Sequence, residues 1–387
     1  MPQYVSSNFT IGILGGGQLG RMLIQSAISF DLRIHILDPN PEAPSAHFAH
    51  SFTCGAFTDY DTVLNFGKDC DLITVEIESV NTDALRALKQ QGKKLHPDPD
   101  VLDLIRDKGL QKQFYREKKL ATAPFVLMEN EQEIRDAITQ SKLAFPFVQK
   151  MRKGGYDGKG VAVIRSEADL KTKLLPGPSV IEDLADIKKE LAVIVAGSDY
   201  KNSCESFDTV EMLFDPEANL VAFLSAPAEI PEAIEQQAQK LAQDLYRELG
   251  MRGLLAVEMF WNQDDSLWIN EVAPRPHNSG HHSIEACYTS QFEQHLRSIL
   301  NWPLGNPKIR QAAVMVNLLG SEKANGEVQY QGLEACIEEA GVYPHLYGKR
   351  EVSPFRKMGH ITCLGDTREE AIEKGKKVKN WIAANGQ

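Results

Sequence analysis

Short apolar runs closed by glycine or acidic residues organise the first hundred positions. IGIL (11–14) leads into GGGQLG (15–20) and then RMLIQSAISF, whose apolar positions recur at helical spacing, which predicts strand, tight turn and helix. RIHILD, ending at Asp38, and DLITVEI (71–77) read as further strands, so this region is expected to be a doubly wound α/β domain. Ligands in such sheets bind beyond the carboxyl ends of the strands. Gly15, Gln18, Asp38 and Glu76 fall there.

LHPDPD (95–100) reads as a domain boundary, because two closely spaced prolines forbid a continuing helix. Beyond it the pattern predicts a helix near 103–119, then FPFVQKM (145–151) and VAVIR (161–165) as a hairpin around the glycine loop KGGYDGKG (153–160), then the strand SVIEDL (179–184) leading into KKELAVIVAG. In EAIEQQAQKLAQDLYRELG (232–250), Ile234, Ala238, Leu241, Leu245 and Leu249 form one helical stripe, which predicts a helix laid over a sheet. GLLAVEMFW (253–261) and SLWINEV (266–272) follow as paired strands. A strand AAVMVNLLG, a hairpin-like region containing GKREVSPFRKMGHIT and a charged terminal helix complete the chain.

Composition narrows the class. The 387 residues carry a formal net charge of −11, which disfavours nucleic acid as a partner, so an anionic substrate must meet a local basic cluster. The six cysteines have neither disulfide-framework nor zinc spacing, and no apolar stretch is long enough to span a membrane. A cytoplasmic protein without membrane association is expected.

Candidate chemistry concentrates in the paired strands. With a two-residue turn at Asp264 and Asp265, Glu258 faces Glu271, their Cβ atoms about 4.5 to 5.5 Å apart, where like charges destabilise a sheet unless a cation intervenes. Mg²⁺ suits two carboxylates, because it keeps waters and phosphate oxygens as its other ligands. In this register Ala256 and Phe260 share the face of Glu258, and Ile269 and Ala273 that of Glu271; a longer loop would shift the pair diagonally. The glycine loop, with Lys150, Arg152, Lys153 and Lys159, suits phosphate, although it lacks the GxxxxGK[ST] pattern. GGGQLG satisfies GxGxxG, which leaves a dinucleotide-dependent oxidoreductase as the rival class. Arg275, His277, Asn278, His281 and His282 follow the Glu271 strand and suit oxyanion binding, while Lys349, Arg356 and Lys357 offer a second phosphate grip.

The ordered set GGGQLGRM, TVEIESVN, DKGLQK, GGYDGKG, INE, APRPHNSGHH and FRKMGHIT closely resembles the ATP-grasp enzymes, and within them the 5-(carboxyamino)imidazole ribonucleotide synthase branch, across nearly the whole chain. The resemblance implies an N-terminal α/β domain (1–105), an ATP-grasp domain (106–300) with a mobile lid at about 122–186, and a small C-terminal domain (301–387). It implies that ATP and Mg²⁺ convert bicarbonate to carboxyphosphate, whose carboxyl group passes to 5-aminoimidazole ribonucleotide, in a homodimer.

By the same resemblance, Lys108 and Lys150 contact ATP phosphates, and Gly155, Tyr156, Asp157, Gly158, Lys159, Gly160 and Val161 form the loop over them. Glu182 and the backbone of Asp183, Leu184 and Ala185 face adenine, Glu190 the ribose, and Asn270 lies beside the metal ligands Glu258 and Glu271. Arg275, His277 and Asn278 hold bicarbonate or carboxyphosphate. Gly17, Gln18, Glu76, Tyr156 and Asp157 hold the ribonucleotide, with its phosphate on Lys349 and Arg356; Asp157 also joins the catalytic group. Two departures stand out: Ala273 occupies a position where many ATP-grasp enzymes have asparagine, and the hinge EDLADIKKEL is unusually charged.

Overall fold

The computed structural model describes residues 9–155, 160–215 and 220–386. Five parallel strands, Thr10–Leu14, Arg33–Asp38, Ser51–Cys54, Leu72–Val75 and Lys94–His96, form the N-terminal sheet in the order third, second, first, fourth, fifth. Its winding reverses between the first and fourth strands. The glycine turn follows the first and Glu76 the fourth, so both line the crevice at the reversal. The third and fifth strands escape the hydrophobic pattern because they are the two edges, short and partly exposed.

The expected boundary at 95–100 is not a linker. Leu95 and His96 belong to the fifth strand, and Pro99 opens the helix Pro99–Arg106 behind the Asp98 cap, where a missing N–H costs nothing. The single helix expected near 103–119 is two, Pro99–Arg106 and Lys108–Glu117. They break at Asp107, which is extended (φ −113°, ψ 104°) and accepts from the N–H groups of Gly109 (2.9 Å) and Leu110 (3.2 Å). A polar side chain that bonds to the backbone competes with helix continuation and favours a cap.

Next comes a four-stranded antiparallel sheet in the order Phe125–Met128, Ser179–Asp183, Phe147–Met151, Val161–Ile164. It has its own small core of Ile134, Phe147, Ile164, Leu170 and Ile181. The largest sheet runs Leu267–Ala273, Gly253–Asn262, Ile187–Ser198, Val210–Asp215, Leu220–Ala226, Ala312–Leu319, Lys357–Gly365, Val342–Leu346. Its last three strands come from beyond residue 300, so the C-terminal segment extends this sheet. Helix Glu232–Glu248 covers one face with Ile234, Ala238, Ala242 and Leu245, against Leu191, Val193 and Val257. Each fully buried Leu or Ile there contributes about 1.5–3 kcal/mol. No described helix is long and apolar enough to cross a membrane.

Candidate active site

Glu258 and Glu271 are directly paired across the antiparallel strands, but by a different route from the tight turn. Near the loop, Trp261 faces Leu267 and Met259 faces Ile269, a register set by a three-residue loop in which Asp265 adopts φ 64°. Asn262 N–H donates to the Ser266 carbonyl at 2.9 Å, closing that loop. A bulge then places Asn270 as an extra residue, shifting the register by one and bringing Glu258 opposite Glu271. Ile269 therefore pairs with Met259 in the core beneath helix Glu232–Glu248, and does not share the face of Glu271 as the tight turn required. The bulge also frees Asn270 to point its amide at Lys150, whose Nζ donates to Asn270 Oδ1 at 2.8 Å.

Both predicted phosphate lysines converge on this hairpin. Lys108 Nζ stands 3.3 Å from Glu271 Oε1, and Lys150 Nζ stands 3.0 Å from Glu182 Oε2. Lys108 is the first residue of its helix, fixed there by the Asp107 cap and by its own N–H donating to the Arg152 carbonyl at 2.9 Å. Arg152 grips Asp107 through two bonds, Nε to Oδ1 at 2.9 Å and Nη2 to Oδ2 at 2.8 Å, which ties the root of the glycine loop to the helix cap. The loop leaves its strand at Met151, whose N–H donates to the Gly160 carbonyl at 2.8 Å, while Val161 pairs with Lys150. Tyr156, Asp157, Gly158 and Lys159 lie outside the described residues. Gly155 and Gly160 flank them; Gly160 has φ +76°, a conformation suited to glycine.

Glu182 is buried at the end of the Ser179–Asp183 strand, held by Lys150 on one side and by Lys112 Nζ (3.2 Å) on the other. Asp183 ends that strand, and Leu184 and Ala185 link it to the next without belonging to either. Glu190 lies on that next strand; burial pushes its carboxyl up to about 7, against the opposing pull of Lys150. A raised carboxyl favours the protonated form, so folded stability falls as pH rises from the ordinary glutamate value of 4.5 through about 7. Replacing Glu190 with Gln is expected to raise the nucleotide-free melting temperature at pH 8 by about 2–4 °C and to leave it unchanged at about pH 4. Melts at both pH values check the sign, and an equal difference at both would refute it.

On the other side of the hairpin, Arg275 Nε lies 2.9 Å from Glu78 Oε1, and Nη2 donates to Glu78 Oε2 at 3.2 Å. His277 Nδ1 accepts from Ser279 N–H at 3.3 Å, which leaves the ring proton on Nε2, 3.8 Å from Glu258 Oε1. Burial, with Arg275 and Lys357 nearby, depresses this imidazole to about 3, so it is neutral at pH 7 and presents an N–H donor. The buried Asn278 Oδ1 has no hydrogen-bond partner among the described residues, an open acceptor in the same cluster.

Within the crevice of the N-terminal sheet, the chain's own carboxylates occupy the glycine turn. Asp38 Oδ2 accepts from Gly16 N–H at 2.7 Å, and Glu76 accepts from the N–H groups of Gly17 and Gly20. A Cβ on Gly17 would lie 2.6 Å from Glu76 Oε1, so glycine is required for this approach. A dinucleotide pyrophosphate would need those same N–H groups and would meet two carboxylates, which removes the basis for the oxidoreductase reading. Gln18 opens the helix beside them. In the C-terminal segment, Lys349 Nζ donates to the Lys357 carbonyl at 2.7 Å, and Arg356 Nη1 to the Glu351 carbonyl at 2.6 Å. Gly348 abuts Arg21 of the N-terminal helix, so this C-terminal loop reaches the crevice.

Lys112, Asp107, Thr122 and Glu78 are not singled out by the sequence reading. Lys112 lies one helical turn after Lys108 on the same face, and Glu78 two residues after Glu76; both spacings were the available signal.

The site gains a family from its relatives. Residues 9–106 match the ribonucleotide synthetase preATP-grasp domain, 113–292 the ATP-grasp domain, and 313–374 the phosphoribosylaminoimidazole carboxylase C-terminal domain. N5-carboxyaminoimidazole ribonucleotide synthase of Bacillus subtilis is 35% identical over 388 residues, covering 99% of this chain and 98% of that protein. The chain belongs to this synthase family. It is also 37% identical to phosphoribosylaminoimidazole carboxylase of Candida glabrata over 94% of this chain, but spans only 65% of that longer protein. A crystal structure of the family's synthase from Aspergillus clavatus, in complex with ADP and 5-aminoimidazole ribonucleotide, superposes with a TM-score of 0.86 at 32% identity, covering 96% of this chain and 99% of that one.

Proposed function

We propose that the chain carboxylates 5-aminoimidazole ribonucleotide with ATP and bicarbonate, giving N5-carboxyaminoimidazole ribonucleotide, ADP and phosphate in de novo purine biosynthesis. The observation that carries this reading is the Glu258–Glu271 pair, flanked by Lys108 and Lys150 on one side and by Arg275, His277 and Asn278 on the other. The ADP and ribonucleotide carried by the Aspergillus clavatus relative support it.

The carboxylate pair fits Mg²⁺. Two acidic side chains face each other, and Lys108 stands against Glu271 as a resident cation, marking a place where positive charge is wanted. Mg²⁺ held there would neutralise charge on the transferring phosphoryl group. Lys108 and Lys150 bind the phosphates, Glu182, Asp183, Leu184 and Ala185 line the adenine, Glu190 the ribose, and the loop from Gly155 to Val161 excludes water. Arg275 and the neutral Nε2–H of His277 hold bicarbonate while its oxygen attacks the γ-phosphorus and ADP leaves. The resulting carboxyphosphate gives up its carboxyl group to the 5-amino nitrogen, releasing phosphate and one proton. Gly17, Gln18 and Glu76, with Tyr156 and Asp157, hold the acceptor, with Lys349 and Arg356 on its phosphate.

In this reading residues 1–105 bind the acceptor, 106–300 bind nucleotide with 122–186 as the lid, and 301–387 close the acceptor site. The protein acts as a cytoplasmic homodimer, a placement to which its six unpaired thiols are suited. Phosphate release with ATP, bicarbonate and ribonucleotide, each omitted in turn, tests the reaction. Full turnover is expected only with all three, and release indifferent to the ribonucleotide would refute it.

A further inference from the structure

The two phosphate lysines of the nucleotide-free site are held by residues with other duties: Lys108 by Glu271, and Lys150 by Glu182 and Asn270. Binding phosphate means drawing Lys150 away from Glu182. Glu182 is buried, and a buried carboxylate that loses its cation either finds another or takes up a proton. A second cation is already in place. Lys112 Nζ lies 3.2 Å from Glu182 Oε1, and both side chains are about 95% shielded from solvent.

Lys112 is held for that position. Its Nζ is 2.5 Å from Thr122 Oγ1, which in turn donates to the Ile269 carbonyl at 2.9 Å, immediately before the Asn270 bulge. The ammonium thus links the helix of Lys108, the start of the four-stranded sheet and the metal-ligand hairpin. Among the described residues, Glu182 faces Lys112 and Tyr115 from the helix and Lys150 from the neighbouring strand, while Lys108 acts on Lys112 and Glu271 on Tyr115. Unlike Lys108, which stands against the hairpin carboxylate Glu271, Lys112 is directed to Glu182 and Thr122 inside this buried network.

We propose that Lys112 is a positioning residue of the nucleotide site, the resident counter-ion that keeps Glu182 charged when Lys150 transfers to the phosphates of the bound nucleotide. The proposal rests on the assignment of Lys150 to phosphate and Glu182 to adenine. Burial and the neighbouring cations lower the Lys112 ammonium to about 8, opposed by Glu182. Its charge is present below that pH and fades above it. Nucleotide drawing Lys150 away removes one repelling cation and so favours charged Lys112, which ties binding to proton uptake only above about pH 8.

The test is binding of β,γ-methylene ATP with magnesium, measured calorimetrically from pH 6 to 9 in buffers of different ionisation enthalpy. Each variant is read against the unaltered chain, so that titration of the ligand cancels. In Lys112→Met, Glu182 must take a proton as Lys150 leaves. Affinity relative to the unaltered chain is therefore expected to fall by up to about tenfold per pH unit between pH 6 and 8, with up to about one extra proton taken up. Lys112→Arg is expected to show no such uptake and to hold its affinity above pH 8, where the unaltered chain weakens.

A Met variant that loses affinity equally at every pH, with no extra proton, would show a merely structural lysine and overturn the proposal. Should the Met variant not fold, the comparison of the unaltered chain with Lys112→Arg above pH 8 decides alone, and coincident profiles overturn it. No binding by the unaltered chain at any pH would instead refute the nucleotide assignment on which the proposal stands.

Discussion

Replacing Glu271 with Gln is expected to lower the rate of ATP-dependent carboxylation by about 10²–10³ while the dissociation constant for the ribonucleotide stays within about twofold. The size follows from chemistry: a metal ion stabilises transferring phosphoryl charge by several kcal/mol, and each 1.36 kcal/mol is about tenfold in rate. The selectivity follows from geometry. Glu271 lies on the hairpin with Lys108 against it, whereas the crevice proposed for the acceptor is built around Glu76 and the glycine turn of another sheet. Glu271 is half exposed, so an amide of the same shape leaves the core intact and folding is expected to survive. Rate and ribonucleotide affinity measured on the same preparation decide the matter; equal losses in both would make the carboxylate a structural element rather than a metal ligand.

The same pair shows how far the sequence could be read. Counting back from a tight turn puts Glu258 opposite Glu271, and they are opposite, yet two deviations had to cancel. Asp-Asp does not supply the positive φ at both turn positions that a two-residue hairpin wants, so the loop takes three residues with Asp265 alone at φ 64°. Asn270 then absorbs the slip in a bulge. Alternation of apolar and polar residues carries no mark of a bulge, because the pattern on each side of it is still regular. Ile269 was consequently expected on the wrong face, and the contact between Asn270 and Lys150 could not be anticipated from register.

Elsewhere legibility followed burial. Strands Thr10–Leu14 and Leu72–Val75, buried throughout, announce themselves as apolar runs, whereas the edge strands Ser51–Cys54 and Lys94–His96 do not. The extension of the large sheet by Ala312–Leu319 is a long-range pairing with Leu220–Ala226, to which a local pattern is blind. The residues that position the site were the least visible. Lys112 reads as one more lysine on a charged helix until Glu182, 70 positions away, is placed against it.

Glu78 is of the same kind, and its partner carries the second large effect. Arg275→Met is expected to lower bicarbonate-dependent phosphate release by about 10²–10³, the loss typical of removing one preorganised donor from a developing oxyanion. Arg275 is preorganised by Glu78, whose Oε2 accepts from Nη2 at 3.2 Å, and by the Pro276 carbonyl, which accepts from Nη1 at 3.1 Å, so the guanidinium is held at two points. Lysine keeps the charge but not the fork, so Arg275→Lys should recover only a small part of the loss. Removing the anchor is a different perturbation: Glu78→Ala keeps the donor and loosens its aim, which calls for a fall of about tenfold. In the double variant the two losses should not add, because a Met at 275 has nothing left to orient. Rates for the two single variants and the double variant complete the cycle. Additive losses would show that Glu78 and Arg275 act on different steps and would withdraw the arginine from the oxyanion.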